Sequence, residues 1–426
     1  MQITGREWIE SPYAWGRLAM SLLLMTIGGS GMYSITVVLP RMQQDFGIAR
    51  GDASLPYTLT MVGFGIGGIL MGRLADRFGV MRVVMLGGVG LGLGYIAAGL
   101  APSAWLFGAA QGLLVGLLGT SASFAPLVAD TTRWFDRRRG IALAICMSGN
   151  YTAGTVWPPV MQHFIDTVGW RQTYVGMGLF CLASMLPLAI ALRRPPPQVV
   201  LTPPASAAPV AVAAGPAASP RPLGMAPGLL LALLSAAGVA CCVAMSMPQV
   251  HIVAYCGDLG FGAARGAEML SLMLAMGVVS RLVSGWIADR IGGLRTLLLG
   301  SLLQGVALLL FLPSDALVSL YIVSALFGLF QGGIVPCYPM IVREYFPPDQ
   351  VGAKVGTVLM ATLMGMALGG WMSGAVFDLT GSYHAAFLNG IAWNLLNLSI
   401  VGFLLWRATS LGLIRGWPAA ASRAAA

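Results

Sequence analysis

One arginine stands where a charge is costly. Arg281 interrupts the apolar run LMLAMGVVSRLVSGW, eight residues before Asp289, so roughly 12 Å of helix separates it from that charged end. Holding an arginine near the centre of a bilayer costs about 2.5–3.5 kcal/mol on insertion scales, and such residues face a water-filled path or a partner. Its planar guanidinium offers two parallel donors that match a carboxylate. No acidic residue lies in an apolar segment at comparable depth, so the chemistry expected of Arg281 is anion binding. Snorkelling to the nearer surface, or a structural salt bridge, is the plainer use of such a side chain.

Other polar residues in apolar surroundings are candidates to help it. His251 and Tyr255 lie four apart, on one helix face, where they could gate a cavity or relay a proton, or simply pack. Tyr33 follows the small-residue run Gly28-Gly29-Ser30-Gly31, and Asn150 and Tyr151 follow Gly149. With Gln331 and Tyr338, these hydroxyls and amides could complete the hydrogen bonds of a bound carboxylate. His163, His251 and His384 fall in three different segments, with no HExxH and no acidic cluster, so neither a metal site nor a catalytic constellation is expected. The six cysteines lack paired spacing and read as small core residues.

The elements that position these residues follow from composition. The chain has 426 residues, 57% hydrophobic and 9% charged, with mean hydropathy +0.80, against roughly 25% charged in an ordinary soluble domain. A soluble enzyme is excluded, and so is a sensor with a soluble output domain. At about 20 residues per span, the chain holds about a dozen. Apolar runs between charge clusters predict spans at 16–40, 54–76, 80–101, 104–128, 140–165, 171–192, 227–256, 265–288, 294–312, 315–342, 353–378 and 384–409. A Pro/Ala/Ser-rich stretch around 195–226 reads as a flexible linker. The predicted organisation is a six-helix half at 1–194, the linker at 195–226, a second six-helix half at 227–410 and a tail at 411–426. The first 15 residues lack a signal-peptide apolar stretch, so span one is expected to be an uncleaved insertion signal.

The net charge of +9 is an orientation signal rather than a nucleic-acid footprint, since no basic run leaves the short loops. With the N-terminus placed in the cytoplasm, 19 Lys and Arg fall on the inner side and only Arg41, Arg50, Arg171 and Arg265 on the outer. Both termini are therefore expected to be cytoplasmic. The basic residue left over is Arg281.

The halves echo one another. GRLADRFG at Gly72–Gly79 returns as GWIADRIG at Gly285–Gly292, and DTVG at Asp166–Gly169 returns as DLTG at Asp378–Gly381, at offsets of 213 and 212. Each copy falls on the matching side of its half. The same offset sets Gly68 opposite Arg281, so the arginine is not part of the repeated scaffold. Duplicated halves place a substrate site between them at the midplane and work by rocking.

GRLADRFGVMR, with Gly72, Leu74, Asp76, Arg77, Gly79 and Arg82, resembles the loop signature of the major facilitator superfamily, and Gly285–Arg295 is a weaker copy. The resemblance covers essentially all of the chain outside the linker. It implies an all-α membrane protein of 12 transmembrane helices in two six-helix repeats. In that family the loop's acidic and basic residues form an inner-side network that holds the outward-open state, which assigns Asp76, Arg73, Arg77, Asp289 and Arg290 to a conformational switch. Setting topology is the plainer role of these arginines.

Three further stretches are similar to the bacterial monocarboxylate and oxalate:formate porter branch: WFDRRRGIA from Trp134, GNYTAGTVWPPVMQHFIDTVGWRQTY from Gly149, and PQVHIVAYCGDLGF from Pro248 followed by SRLVSGWIADR. That branch carries short carboxylates, coupled to protons or by exchange, and its functional arginine in span eight matches Arg281. The chain departs from the pattern in several places. Span eleven has no lysine, where oxalate exchangers keep a second cation. Span one is neutral beyond Arg17, where animal monocarboxylate porters keep a lysine, and Gly277 stands where they have an aspartate one turn before the arginine. Phe124, before Pro126, takes the place of an expected tyrosine, and Gly108 that of the span-four arginine of other branches.

The expected protein is a multi-pass carrier of the cell inner (plasma) membrane, not an enzyme, without cofactor or metal. It moves a small monocarboxylate of the lactate or pyruvate type, with a proton as the candidate co-substrate and lipid as its surroundings. An anion exchanger of the oxalate:formate type and an exporter of amphipathic drugs are the alternatives. A drug exporter would more often show a carboxylate within the membrane.

Overall fold

The computed structural model describes residues 8–195, 222–347 and 350–412. The linker stretch 196–221 and the tail from 413 lie outside the described residues. Among the described residues the regular structure is helical, without strands.

Among the described residues, eleven helices or runs of joined helices are long and apolar enough to cross a membrane. The first is α1 (Pro12–Gly28) running into α2 (Ser30–Phe46). Then come α3 (Arg50–Phe78) and α4 (Val80–Gly99). The next crossing joins α5 (Ala104–Ala109), a π-helix at Ala110–Thr120 and α6 (Ala125–Trp134). The predicted fifth span is the thirty-residue helix α7 (Arg139–Val168). It is not among the eleven, because Asn150, Tyr151, Thr152 and the Pro158–Pro159 pair dilute its hydropathy. After α8 (Trp170–Ile190) the second part comprises α9 (Pro227–Asp258), α10 (Ala263–Ile291), α11 (Gly293–Phe311), α12 (Leu317–Gln331) continued by α13 (Ile334–Tyr345), α14 (Val351–Thr380) and α15 (Tyr383–Ser410).

Several helices, among them α3, α7, α10 and α14, are longer than the apolar runs suggested, since polar first and last turns continue into the interfaces. Three crossings are also broken where unbroken spans were expected: at Gly29, between Thr120 and Ala125, and at Gly332–Gly333. Small residues permit close approach at the last break. A Cβ on Gly332 would sit 2.4 Å from the Gly277 carbonyl oxygen. The two loop copies adopt matching turns, with Gly79 at φ 85°, ψ 153° and Gly292 at φ 85°, ψ 160°, a region open to glycine but strained for other residues.

Contacts between the two parts of the chain run along α3 with α14 and α7 with α10. These four helices flank the space into which Arg281 was expected to project.

One expectation about charge is corrected. Arg17, assigned to the inner surface, is buried, and its Nε and Nη2 donate to Asp130 at 2.7 and 3.1 Å. Asp130 lies two residues beyond the predicted fourth span, but α6 continues to Trp134 and keeps it 1% exposed. A carboxylate is therefore buried among the helices after all, neutralised by a cation from α1 that also stacks 4.7 Å from the Trp134 ring centroid. All six cysteines are buried and free.

Candidate functional site

A cavity of about 350 Å³ lies between the two parts of the chain. Its polar wall comes from Tyr33 of α2, Asn150 and Tyr151 of α7, Gln249 of α9 and Arg281 of α10. Apolar lining comes from Phe64 of α3, from Phe124, and from Leu359, Met360, Leu363 and Met366 of α14, where Thr362, its hydroxyl bonded to the Leu359 carbonyl at 2.7 Å, also faces the space. The helix breaks serve this space: Tyr33 follows the first, Phe124 sits in the second, and Val335 and Pro336 follow the third.

Arg281 is held but not neutralised. Its Nη1 donates to the Met147 carbonyl at 3.3 Å, and its guanidinium carbon lies 4.2 Å from the Tyr151 ring centroid. Its Nε is buried without a hydrogen-bond partner, and no carboxylate pairs with Arg281 among the described residues. A cation without a counter-charge at a cavity wall is costly, and an anion entering the cavity would relieve it. Beside it, the Tyr33 hydroxyl donates to Asn150 Oδ1 at 3.2 Å, which orients the amide. Gly277 leaves the room that Tyr151 occupies, for a Cβ there would fall 2.4 Å from Tyr151 Cε1.

The structure thus gathers five of the sequence candidates, Arg281, Tyr33, Asn150, Tyr151 and Phe124, around one space. The other four are elsewhere. His251 is fully buried between α9 and α14, with Nε2 2.8 Å from the Gly370 carbonyl and Nδ1 3.4 Å from the Tyr383 hydroxyl. Since a carbonyl only accepts, Nε2 carries the proton. The Tyr255 hydroxyl donates to Asp315 at 3.4 Å and its ring packs on Tyr383 and Phe387. Tyr338 is buried with its hydroxyl 3.1 Å from Asn397 Nδ2. Gln331 is buried with neither amide atom bonded among the described residues.

Sequence reasoning passed over Gln249, two residues from His251 in the apolar ninth helix, although a lone amide in such a run was a usable signal. It also passed over the five cavity methionines, Met32, Met147, Met245, Met360 and Met366, because methionine in an apolar span looks like any other core residue.

The charged ends of the helices are arranged differently on the two faces. At the loop after α3, Asp76 accepts from Arg133 Nη2 at 3.0 Å rather than from Arg73 or Arg77. Arg77 stacks on Phe78 and Arg290 on Trp286. At the opposite face one cluster joins both parts of the chain. The Asp378 carboxylate of α14 accepts the first two backbone N–H groups of α3, from Arg50 at 2.9 Å and Gly51 at 2.6 Å. This caps the helix and opposes its dipole. The Arg50 guanidinium in turn pairs with Asp258 of α9 and donates to the Tyr383 hydroxyl at 3.0 Å. The cavity lining, by contrast, continues toward the Asp76 face through Gly68, Ile69, Pro339 and Gly356.

The profile of the Major Facilitator Superfamily matches residues 20–314 and 258–412. The chain is 30% identical over 321 residues to Monocarboxylate transporter 13 of Bos taurus, covering 74% of this chain and 71% of that one. It is 26% identical to the uncharacterized MFS-type transporter YhjX of Escherichia coli strain K12, over 72% of this chain and 75% of that one. Among solved structures, a POT family transporter in complex with 5-aminolevulinic acid superposes with TM-score 0.71 at 13% identity, over 95% of this chain and 99% of that one. A bacterial homolog of the human lysosomal transporter Spinster, in inward-facing and occupied conformation, gives TM-score 0.67 at 15% identity, over 95% and 97%.

Proposed function

Because the chain belongs to the major facilitator superfamily of membrane transporters, we propose that it carries monocarboxylates by alternating access, with Arg281 as the group that binds the carboxylate. The observation that supports this most is the state of that arginine: a guanidinium at the cavity wall, stacked on Tyr151, with no carboxylate paired to it among the described residues. Tyr33, Asn150 and Gln249 would supply further hydrogen bonds to the bound head group. The names of the monocarboxylate-transporter relatives agree with this choice of substrate.

The rest of the reading follows. In this reading twelve crossings, counting α7, in two halves at 1–194 and 227–410 leave both termini on one side, which the excess of Lys and Arg assigns to the cytoplasm of a cell whose inner (plasma) membrane holds the protein. The cavity then runs toward the cytoplasm, and the Arg50 cluster seals the outer end. Asp76, Arg73, Arg77, Asp289 and Arg290 would make and break contacts as the halves rock. The substrates in this reading are small monocarboxylates of the lactate or pyruvate type, and a proton would accompany the anion or an exchange partner would replace it. His251 is walled off from the cavity, so in a symport reading the substrate carboxylate beside Arg281 is the proton carrier.

Counterflow in proteoliposomes tests this. Arg281→Lys should insert normally and lose at least tenfold in carboxylate uptake, since a point charge cannot reproduce a bidentate fork. Normal uptake by that variant would end the assignment.

A further inference from the structure

We infer that the preferred substrate is a monocarboxylate carrying an aromatic body, rather than a three-carbon acid. The inference rests on the carboxylate-binding reading above and concerns the part of the cavity that a carboxylate does not touch.

The cavity is two-sided. Arg281, Tyr33, Asn150 and Tyr151 cluster on α2, α7 and α10, while α3 and α14 present Phe64, Leu359, Met360, Leu363 and Met366 together with Thr362, whose hydroxyl is bonded back to the Leu359 carbonyl. At roughly 30 Å³ per water, about 350 Å³ corresponds to some ten waters. A three-carbon acid seated on Arg281 fills a small part of that space and leaves water against methionine and phenylalanine side chains, so none of that apolar surface is buried. A ring attached to the carboxylate would bury it.

Two features of the wall suit a ring in particular. Phe64 and Phe124 already pair edge to face, with centroids 5.6 Å apart, and both line the cavity, Phe64 buried and Phe124 half-buried, so an aromatic cluster stands at the wall for a third ring to join. Five methionines surround the same space. Their thioethers make favourable contacts with aromatic rings and adapt to irregular shapes. Glycines keep the space open. Gly68 lines the cavity on α3, and a Cβ built there meets nothing within 4 Å.

The test compares acids that share a head group: lactate with 3-phenyllactate, pyruvate with phenylpyruvate, and acetate with indole-3-acetate. Binding to the purified full chain is read by titration calorimetry and transport by counterflow. Burying a phenyl group should make the aromatic member of each pair bind about tenfold to a hundredfold tighter. Gly68→Leu, which fills open space in the cavity, should lower the affinity for the aromatic member of each pair more than for its small partner. Arg281→Lys should weaken every acid, large or small. Equal or weaker binding of the aromatic members, with all acids still dependent on Arg281, would overturn the inference and leave the carboxylate reading intact. Phenethyl alcohol binding as tightly as 3-phenyllactate, or affinity indifferent to Arg281, would overturn the carboxylate reading itself.

Discussion

The Arg281 guanidinium carbon lies 4.2 Å from the centroid of the Tyr151 ring, across the seam between α10 and α7. The charge at the cavity thus comes from one part of the chain and its aromatic support from the other. A rocking motion that separates α7 from α10 would withdraw that support and change what the arginine offers to an anion. Binding and conformational change would then be coupled at the site itself.

The fit of Tyr151 depends on a residue one turn from Arg281. Gly277→Asp would place a Cβ 2.4 Å from Tyr151 Cε1 and a carboxylate beside the guanidinium. The ring would be displaced and the new anion would compete with substrate, so carboxylate affinity should fall at least tenfold. Gly277→Ala brings the steric clash alone and should show a smaller loss. Titration of both variants checks the order, and a Gly277→Asp protein that binds as the parent does would contradict it.

The Arg50 cluster ties α3 to α9, α14 and α15 at the face opposite Asp76. Asp378→Asn should weaken the cap on α3, and Arg50→Ala should break the pair with Asp258. In both variants the ends of α3 and α9 at this face should move apart, as read by spin-label distances between the two helix ends. His251→Leu should act in the same direction but less, because it removes the hydrogen bond to the Gly370 carbonyl and loosens Tyr383. Distances unchanged in all three would show that the cluster does not hold this face shut.

Arg17 and Asp130 form a buried pair at 2.7 Å. Removing one partner strands the other charge away from water, at a cost of about 3–5 kcal/mol. Asp130→Ala should therefore lower the melting temperature of the purified protein markedly. The double replacement Arg17→Met with Asp130→Leu should recover much of the loss. If the double variant melts no higher than the single one, the pair is held for something other than charge balance.

Glu10 precedes α1, and its carboxylate accepts from the backbone N–H of Arg138 at 2.6 Å and of Asp136 at 3.2 Å. These bonds, that from Arg138 first, hold its pKa below the ordinary value of 4.5. A depressed carboxylate pKa contributes stability that is complete above the unfolded value and is lost as pH falls through the folded one. Glu10→Gln should accordingly melt below the parent at pH 7, with the gap closing as both are taken toward pH 3. A constant gap across that range would mean that the charge plays no part.

Much was legible from composition and order along the chain. The apolar runs marked the crossings because backbone polar groups in lipid have no partner but their own helix. The loop pair around Asp76 and Asp289 was legible because a positive-φ turn demands glycine at 79 and 292. Arg281 stood out because a charge in such a run carries its cost on its face. Contacts across great sequence distance were not legible. Nothing in the order of residues says that Asp378 caps a helix beginning at Arg50, that Asp130 meets Arg17, or that Gly277 makes way for Tyr151. His251 and Tyr33 looked alike as polar residues in apolar helices, yet one points into a helix interface and the other into the cavity. Which face of a helix meets water, lipid or another helix is set by the packing of all the others around it. A chain apolar on nearly every face carries no amphipathic stripe from which to read that choice.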